Sequence, residues 1–158
     1  MKLCEKIDKR NADDNPVFDY SQSSALMLGN GKPLLLISGA GATMDAWDPM
    51  VLKQLSANHT VIIFDNRGIG QTSPGTIKSF SISQYANDTA GLLDALQIGS
   101  PVDVLGHSLG SFIAQELTLM HPDKVNKLIL FASNCGGKDL YQELLKLMST
   151  SQNWRILI

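Results

Sequence analysis

From residue 34 onward, apolar positions follow two alternating periods. Four short runs are apolar at nearly every position, which is typical of strands buried on both faces of a sheet. Between them lie longer segments whose apolar residues recur every three or four positions, as on the inner face of a helix. The apolar runs span residues 34–37, 61–64, 102–105 and 127–132. Strict alternation of strand and helix predicts an α/β fold, a mostly parallel sheet with flanking helices.

Two of the intervening helices carry start signals. Asp48 lies directly before a proline, a combination favoured at a helix N-terminus. Ser81 is followed three residues later by Gln84, which forms a capping-box pattern ahead of an apolar stripe. A third helix is expected after the third strand and should end at His121, which precedes a proline.

The first 33 residues are less regular. Residues 1–16 hold eight charges, four of each sign, and predict a mobile, solvated arm. Residues 17–33 are ambiguous between a loop and a short hairpin that turns at residues 29–31.

Composition excludes several classes of protein. The chain has 158 residues, 44% of them apolar, enough for one domain with a substantial core. A net charge of −2 gives no electrostatic reason to expect a nucleic-acid or membrane-surface partner. No apolar run is long enough to span a bilayer, and the N-terminus lacks the apolar core of a signal peptide. Cys4 and Cys135 do not suggest a disulfide framework. A cytoplasmic protein is expected.

The strongest chemical signal is the stretch Gly106-His107-Ser108-Leu109-Gly110. A Gly-x-Ser-x-Gly turn between a strand and a helix is the nucleophile-elbow pattern, in which the serine projects from the end of a parallel sheet. Because the turn is tight, the glycine positions on either side of the serine have almost no room for a side chain. The pattern predicts Ser108 as a nucleophile, the alternative being a structural turn serine or a decayed site.

A serine nucleophile needs donors for the oxyanion that forms when it attacks a carbonyl. One predicted donor is the backbone N–H of Leu109 at the start of the following helix, where the helix dipole favours negative charge. The second is the N–H of Ala40 in the loop after the first buried strand. Alternatively, Gly39 and Gly41 only make a tight turn from strand to helix.

A dinucleotide-binding unit is a rival interpretation of the same loop. Gly39 and Gly41 follow a strand, and the acidic Asp65 ends the next one. Met44 occupies the place of the third glycine, and this interpretation leaves the Ser108 turn unexplained. It is therefore disfavoured, and no cofactor is expected.

Taken together, four segments resemble the N-terminal half of an α/β-hydrolase fold protein. The resemblance implies that Asp65 and Arg67 belong to a structural turn, and that Ser38 stands where relatives usually have a histidine. It also implies that residues 17–132 form the N-terminal half of the core and residues 133–158 the start of a helical cap. The four segments are residues 37–41 with Trp47, residues 65–70, Asp88 with residues 92–96, and residues 106–110.

The family's acid and histidine follow later strands that this chain does not reach. Only 50 residues follow Ser108, and His121 is the one histidine among them. His107, His121 and His59 are each expected to be structural or exposed, and Asp139 is a weak candidate for the acid. No histidine–cysteine cluster has the spacing of a metal site.

The resulting hypothesis is a serine hydrolase that acts on an ester-like small-molecule acyl substrate, present as an incomplete chain without the acid and histidine of its triad. The alternative is a non-catalytic product, truncated or dependent on a partner chain. A cofactor-free haloperoxidase-type member is a minor alternative, because it would share the elbow. An unpaired edge at strand 127–132 also predicts self-association.

Overall fold

The computed structural model describes residues 2–3, 23–76 and 81–133, which build one mixed sheet with helices on both faces. Its strands are β1 (Lys2–Leu3), β2 (Ala25–Leu28), β3 (Lys32–Ile37), β4 (His59–Phe64), β5 (Val102–His107) and β6 (Val125–Phe131). The helices are α1 (Pro49–Ser56), α2 (Ile82–Ala95) and α3 (Leu109–Met120). The spatial order of the strands is β1-β2-β4-β3-β5-β6. The strands β3 to β6 are parallel, which confirms the predicted α/β class.

Strand β3 shows why its apolar run is continuous. Leu34 and Leu36 pack into the cluster on the α1 face of the sheet, whereas Leu35 and Ile37 pack into the cluster beneath α2 and α3. All four side chains are buried. A strand covered by helices on both faces has no polar side to present, so its sequence does not alternate.

The region before β3 does not form the short hairpin that was one alternative for residues 17–33. Residues 29–31 do turn, but β2 does not pair with β3, because β4 lies between them. β3 takes β4 and β5 as its two parallel neighbours, so β2 pairs antiparallel with the outer edge of β4. Lys2–Leu3 pairs in turn with β2, and the rest of the expected arm lies outside the described residues.

The predicted helix starts are present. The Asp48 carboxylate accepts a hydrogen bond from the Met50 N–H at 2.7 Å, and the Ser81 hydroxyl accepts one from the Gln84 N–H at 3.1 Å. The second half of the capping box is replaced, because the Gln84 side chain donates to Asp88 Oδ1 at 3.1 Å. Gln84 therefore stabilises the buried acid one turn further along the helix.

The carboxyl ends of β3, β4, β5 and β6 meet at one edge of the sheet, because these strands are parallel. The turns that follow them therefore lie side by side. Within the described ranges, β6 pairs with β5 on one side only. In this part of the chain, no helix is both long enough and apolar enough to cross a membrane.

Candidate active site

Ser108 lies between β5 and α3, in a backbone conformation that residues other than glycine rarely adopt. Its φ is 52° and its ψ is −118°. Strain of this kind persists only where the surrounding structure imposes it, and it is concentrated at functional sites. A Cβ on Gly106 would overlap the backbone of Gly110 and Ser111, and one on Gly110 would overlap the backbone at the end of β3. Close backbone approach therefore explains both glycines of the motif.

Hydrogen bonds hold the strained residue on both sides. The Ser108 N–H donates to the carbonyl of Phe131, the last residue of β6, at 3.0 Å. The Ser108 carbonyl accepts from the Ser111 N–H at 2.9 Å and from the Ser111 hydroxyl at 2.5 Å. The elbow is thus fixed to the neighbouring strand and to the first turn of α3.

The loop after β3 packs directly against this elbow. A Cβ placed on Gly39 would lie 3.3 Å from Cβ of Ser108 and 3.4 Å from Nδ1 of His107, tight contacts that the absence of a side chain relieves. Gly41 has a φ of 68°, and the Ala42 N–H donates to the Gly39 carbonyl at 3.2 Å. Ala40 lies exposed within this turn, beside the glycine that contacts Ser108.

Leu109 is the first helical residue of α3. The N–H groups of the first helical turn have no intrahelical acceptor and lie at the positive end of the helix dipole. The three residues predicted for the site, Ser108, Ala40 and Leu109, thus lie at the same edge of the sheet, in two turns that contact each other.

The charged turn after β4 is occupied by structural bonds. The Asp65 carboxylate accepts from the Met44 N–H at 2.7 Å and from the Gln71 N–H at 3.0 Å. Arg67 Nε donates to Asp88 Oδ2 at 2.6 Å, and a second contact makes this buried pair bidentate. These contacts match the scaffolding role expected for Asp65 and Arg67.

The histidines are held by contacts of their own. The ring of His107 stacks on Phe131 with centroids 5.3 Å apart and meets Trp47 edge-on at 6.3 Å. His121 lies at the far end of α3, where its Nε2 is 2.8 Å from Oδ1 of Asn87. Burial, and secondarily Lys124, lower the pKa of His121 below its ordinary value.

The remaining candidates lie away from the Ser108 edge or outside the described ranges. His59 begins β4 at the opposite edge of the sheet, with its Nδ1 3.2 Å from the Leu55 carbonyl. Asp139 lies outside the described residues. Among residues 2–3, 23–76 and 81–133, no three His, Cys, Asp or Glu side chains are placed to hold a metal ion.

Sequence reasoning missed a polar stripe on α3. Ser111, Gln115 and Thr118 are buried on a helix whose inner face is otherwise apolar. Gln115 Nε2 donates to the Ser111 carbonyl at 3.1 Å and to the Ser133 hydroxyl at 3.4 Å. The spacing of four and then three residues places this stripe on one face of the helix, and it was visible in the sequence.

Comparison with known proteins assigns the family. A sequence model of the alpha/beta hydrolase fold matches residues 32–156. The chain belongs to this family. The putative non-heme bromoperoxidase BpoC of Mycobacterium tuberculosis is 40% identical over 106 residues, which are 66% of this chain and 39% of that protein. The 2-hydroxymuconate semialdehyde hydrolase of Pseudomonas sp. is 33% identical over 107 residues, 66% of this chain and 38% of that protein.

Solved structures agree with the α/β-hydrolase assignment. The crystal structure of BpoC from Mycobacterium tuberculosis aligns with a TM-score of 0.64 and 34% identity, covering 81% of this chain and 47% of that one. A marine microorganism esterase aligns with a TM-score of 0.63 and 28% identity, covering 69% of this chain and 41% of that one. The chain spans less than half the length of these relatives.

Proposed function

We propose that Ser108 is the nucleophile of a serine hydrolase that acts on a small acyl substrate, either an ester, a thioester, a lactone or an amide. The acid and the histidine that complete its triad would come from outside the described residues. The observation that carries the proposal is the strained Ser108 backbone, held against the Gly39 loop. The hydrolase names of several α/β-hydrolase relatives add support.

In the proposed reaction, Ser108 Oγ attacks the acyl carbonyl carbon and its proton passes to the histidine base. The tetrahedral oxyanion is held by the N–H groups of Ala40 and Leu109. The leaving group departs with the proton, and a water molecule then hydrolyses the acyl-serine by the same steps. The position of Leu109 at a helix N-terminus favours the negative charge.

Phosphonylation of Ser108 by a fluorophosphonate, followed by intact mass, tests this proposal. Because the base is proposed to come from outside the described residues, the reaction is run with and without added imidazole as a substitute base. We expect slow labelling that imidazole accelerates and that Ser108→Ala abolishes. The matched control Ser100→Ala removes an exposed serine beyond α2 and should label like the wild type.

Three results would contradict the proposal, two of them the nucleophile itself and the third the source of its base. Labelling that persists in Ser108→Ala would place the reactive group elsewhere, and a folded chain that never labels would show Ser108 to be inert. Labelling at full hydrolase rates without imidazole would mean that this chain, or a second copy of it, supplies the base.

A cofactor-free haloperoxidase reaction is a second candidate, favoured by the 40% identity to the BpoC protein. Hydrogen peroxide would attack the acyl-serine in place of water, releasing a peroxycarboxylic acid and free serine. The peroxycarboxylic acid then oxidises bromide. Bromide oxidation that needs both a carboxylate and Ser108 would support this reaction, and its absence would leave hydrolysis alone.

A non-catalytic, partner-dependent module remains the contrasting proposal. It draws support from β6, which pairs on one side only within the described ranges and carries the exposed side chain of Phe131. Such an edge favours association with another strand. Analytical ultracentrifugation should then reveal self-association, whereas a monodisperse monomer that melts cooperatively would contradict it.

A further inference from the structure

The side chain of Ser111 forms a bond that the elbow pattern alone does not require. Ser111 is fully buried at 0% exposure, and its hydroxyl donates to the Ser108 carbonyl at 2.5 Å. The Ser111 N–H donates to the same oxygen at 2.9 Å. One residue therefore supplies two donors to the carbonyl of the strained serine.

That carbonyl shares a peptide unit with the N–H of Leu109. A trans peptide is planar, and its C=O and N–H point in opposite directions. No cis peptide occurs among the described residues. Holding the Ser108 carbonyl toward Ser111 in the first turn of α3 thus fixes the Leu109 N–H to point the opposite way.

We propose that the Ser111 hydroxyl is a positioning residue for the Leu109 oxyanion donor. This inference rests on the proposed function. Ser111 does not touch the substrate; it fixes the orientation of the peptide whose N–H does. Oxyanion donors are effective because they are held in place before charge develops, so a looser peptide plane lowers the rate.

Gln115 extends the same network. It is buried at 0% exposure, and its amide donates both to the Ser111 carbonyl and to the Ser133 hydroxyl beyond β6. Phe131, two residues before Ser133, accepts the Ser108 N–H. The elbow is thus braced through α3 and directly by the end of β6.

Ser111→Ala removes the hydroxyl donor and keeps the backbone donor. Losing an oxyanion donor outright costs about 10²- to 10³-fold in rate, so loosening one should cost less, roughly tenfold. We expect this loss in the maximal rate of Ser108 phosphonylation and not in the fluorophosphonate concentration that gives half that rate. Ser111→Thr keeps a hydroxyl and should recover most of the rate.

The matched control is Thr118→Val. Thr118 is buried on the same helix, and its hydroxyl donates to the Ala114 carbonyl at 2.8 Å, far from the elbow. Thr118→Val, like Ser111→Ala, removes a hydrogen bond from a hydroxyl to a backbone carbonyl, and we expect unchanged labelling. If Thr118→Val labels as slowly as Ser111→Ala, the effect is one of helix stability and the proposal is overturned.

Nuclear magnetic resonance gives a readout that does not depend on reactivity. Ser111→Ala should shift the carbonyl ¹³C of Ser108 and the amide ¹⁵N of Leu109, whereas Thr118→Val should leave both in place. Unchanged Ser108 and Leu109 resonances in Ser111→Ala, or wild-type labelling by that variant, would overturn the inference. If the wild type never labels, the proposed nucleophile fails, and these resonances alone decide whether Ser111 orients the Leu109 peptide.

Discussion

The turn after β4 and the turn after β5 both follow a buried strand and both lie at the carboxyl edge of the sheet, yet they are built in opposite ways. The first carries Asp65 and Arg67, both buried, whose charged groups are taken up by internal hydrogen bonds. The second carries no acidic or basic side chain other than His107; it is held by small residues and backbone bonds and leaves Ser108 half-buried. At this edge of the sheet, the charged side chains of the turn after β4 thus form structural contacts. The proposed chemistry belongs to the uncharged turn after β5.

The largest expected effect comes from breaking the charged turn. Arg67→Met leaves the Asp88 carboxylate buried without its cation, and breaking a buried pair in this way costs about 3–5 kcal/mol. Gln84 still donates to Asp88, which places the loss toward the lower end. Urea unfolding measures the change in the free energy of unfolding.

The double variant Arg67→Met with Asp88→Leu is the control for that prediction. It removes the uncompensated charge as well as its partner, so it should be more stable than Arg67→Met alone. A single variant that loses less than about 1 kcal/mol would contradict the scaffolding role of Arg67.

A substitution in the uncharged turn should lower the free energy of unfolding for a different reason, because the turn leaves no room for an added side chain. A Cβ on Gly110 would lie 2.7 Å from both the Ile37 carbonyl carbon and the Ser38 carbonyl oxygen. Both are backbone atoms, which cannot easily move away. Overpacking costs about 1–3 kcal/mol, and we expect Gly110→Ala near the upper value. Gly99→Ala is the control, because a Cβ there meets nothing within 4 Å and should change stability by less than about 0.5 kcal/mol. Equal stability of the two variants would argue against close packing at the elbow.

Local patterns in the sequence predicted part of this fold and part of the candidate site. The Ser108 turn was predictable because strand, glycine spacing and helix are local features, and the α/β class followed from apolar periodicity. The position of β2 was not, since it depends on which edge β3 leaves open. The Ser111 bond was missed because a buried serine in a helix indicates no partner until its rotamer is known. The acid and histidine of the proposed triad remain predictions.

The smallest expected effect concerns pH, and it tests whether titratable groups act on stability rather than at the Ser108 edge. Burial and Lys124 hold the pKa of His121 in the folded state below its unfolded value of about 6.5, while Asp123 and Asp94 oppose the shift. Between these two pKa values the unfolded chain binds a proton that the folded chain does not, so stability falls as pH decreases through this window. His121→Gln should reduce that loss between pH 7.5 and 5.5, as measured by urea midpoints. Because His121 lies at the far end of α3, its substitution should not alter Ser108 labelling at pH 7.5. A fall in labelling would show that a change at the far end of α3 alters the reactivity of Ser108. The structural and the proposed catalytic parts of the molecule would then not be independent.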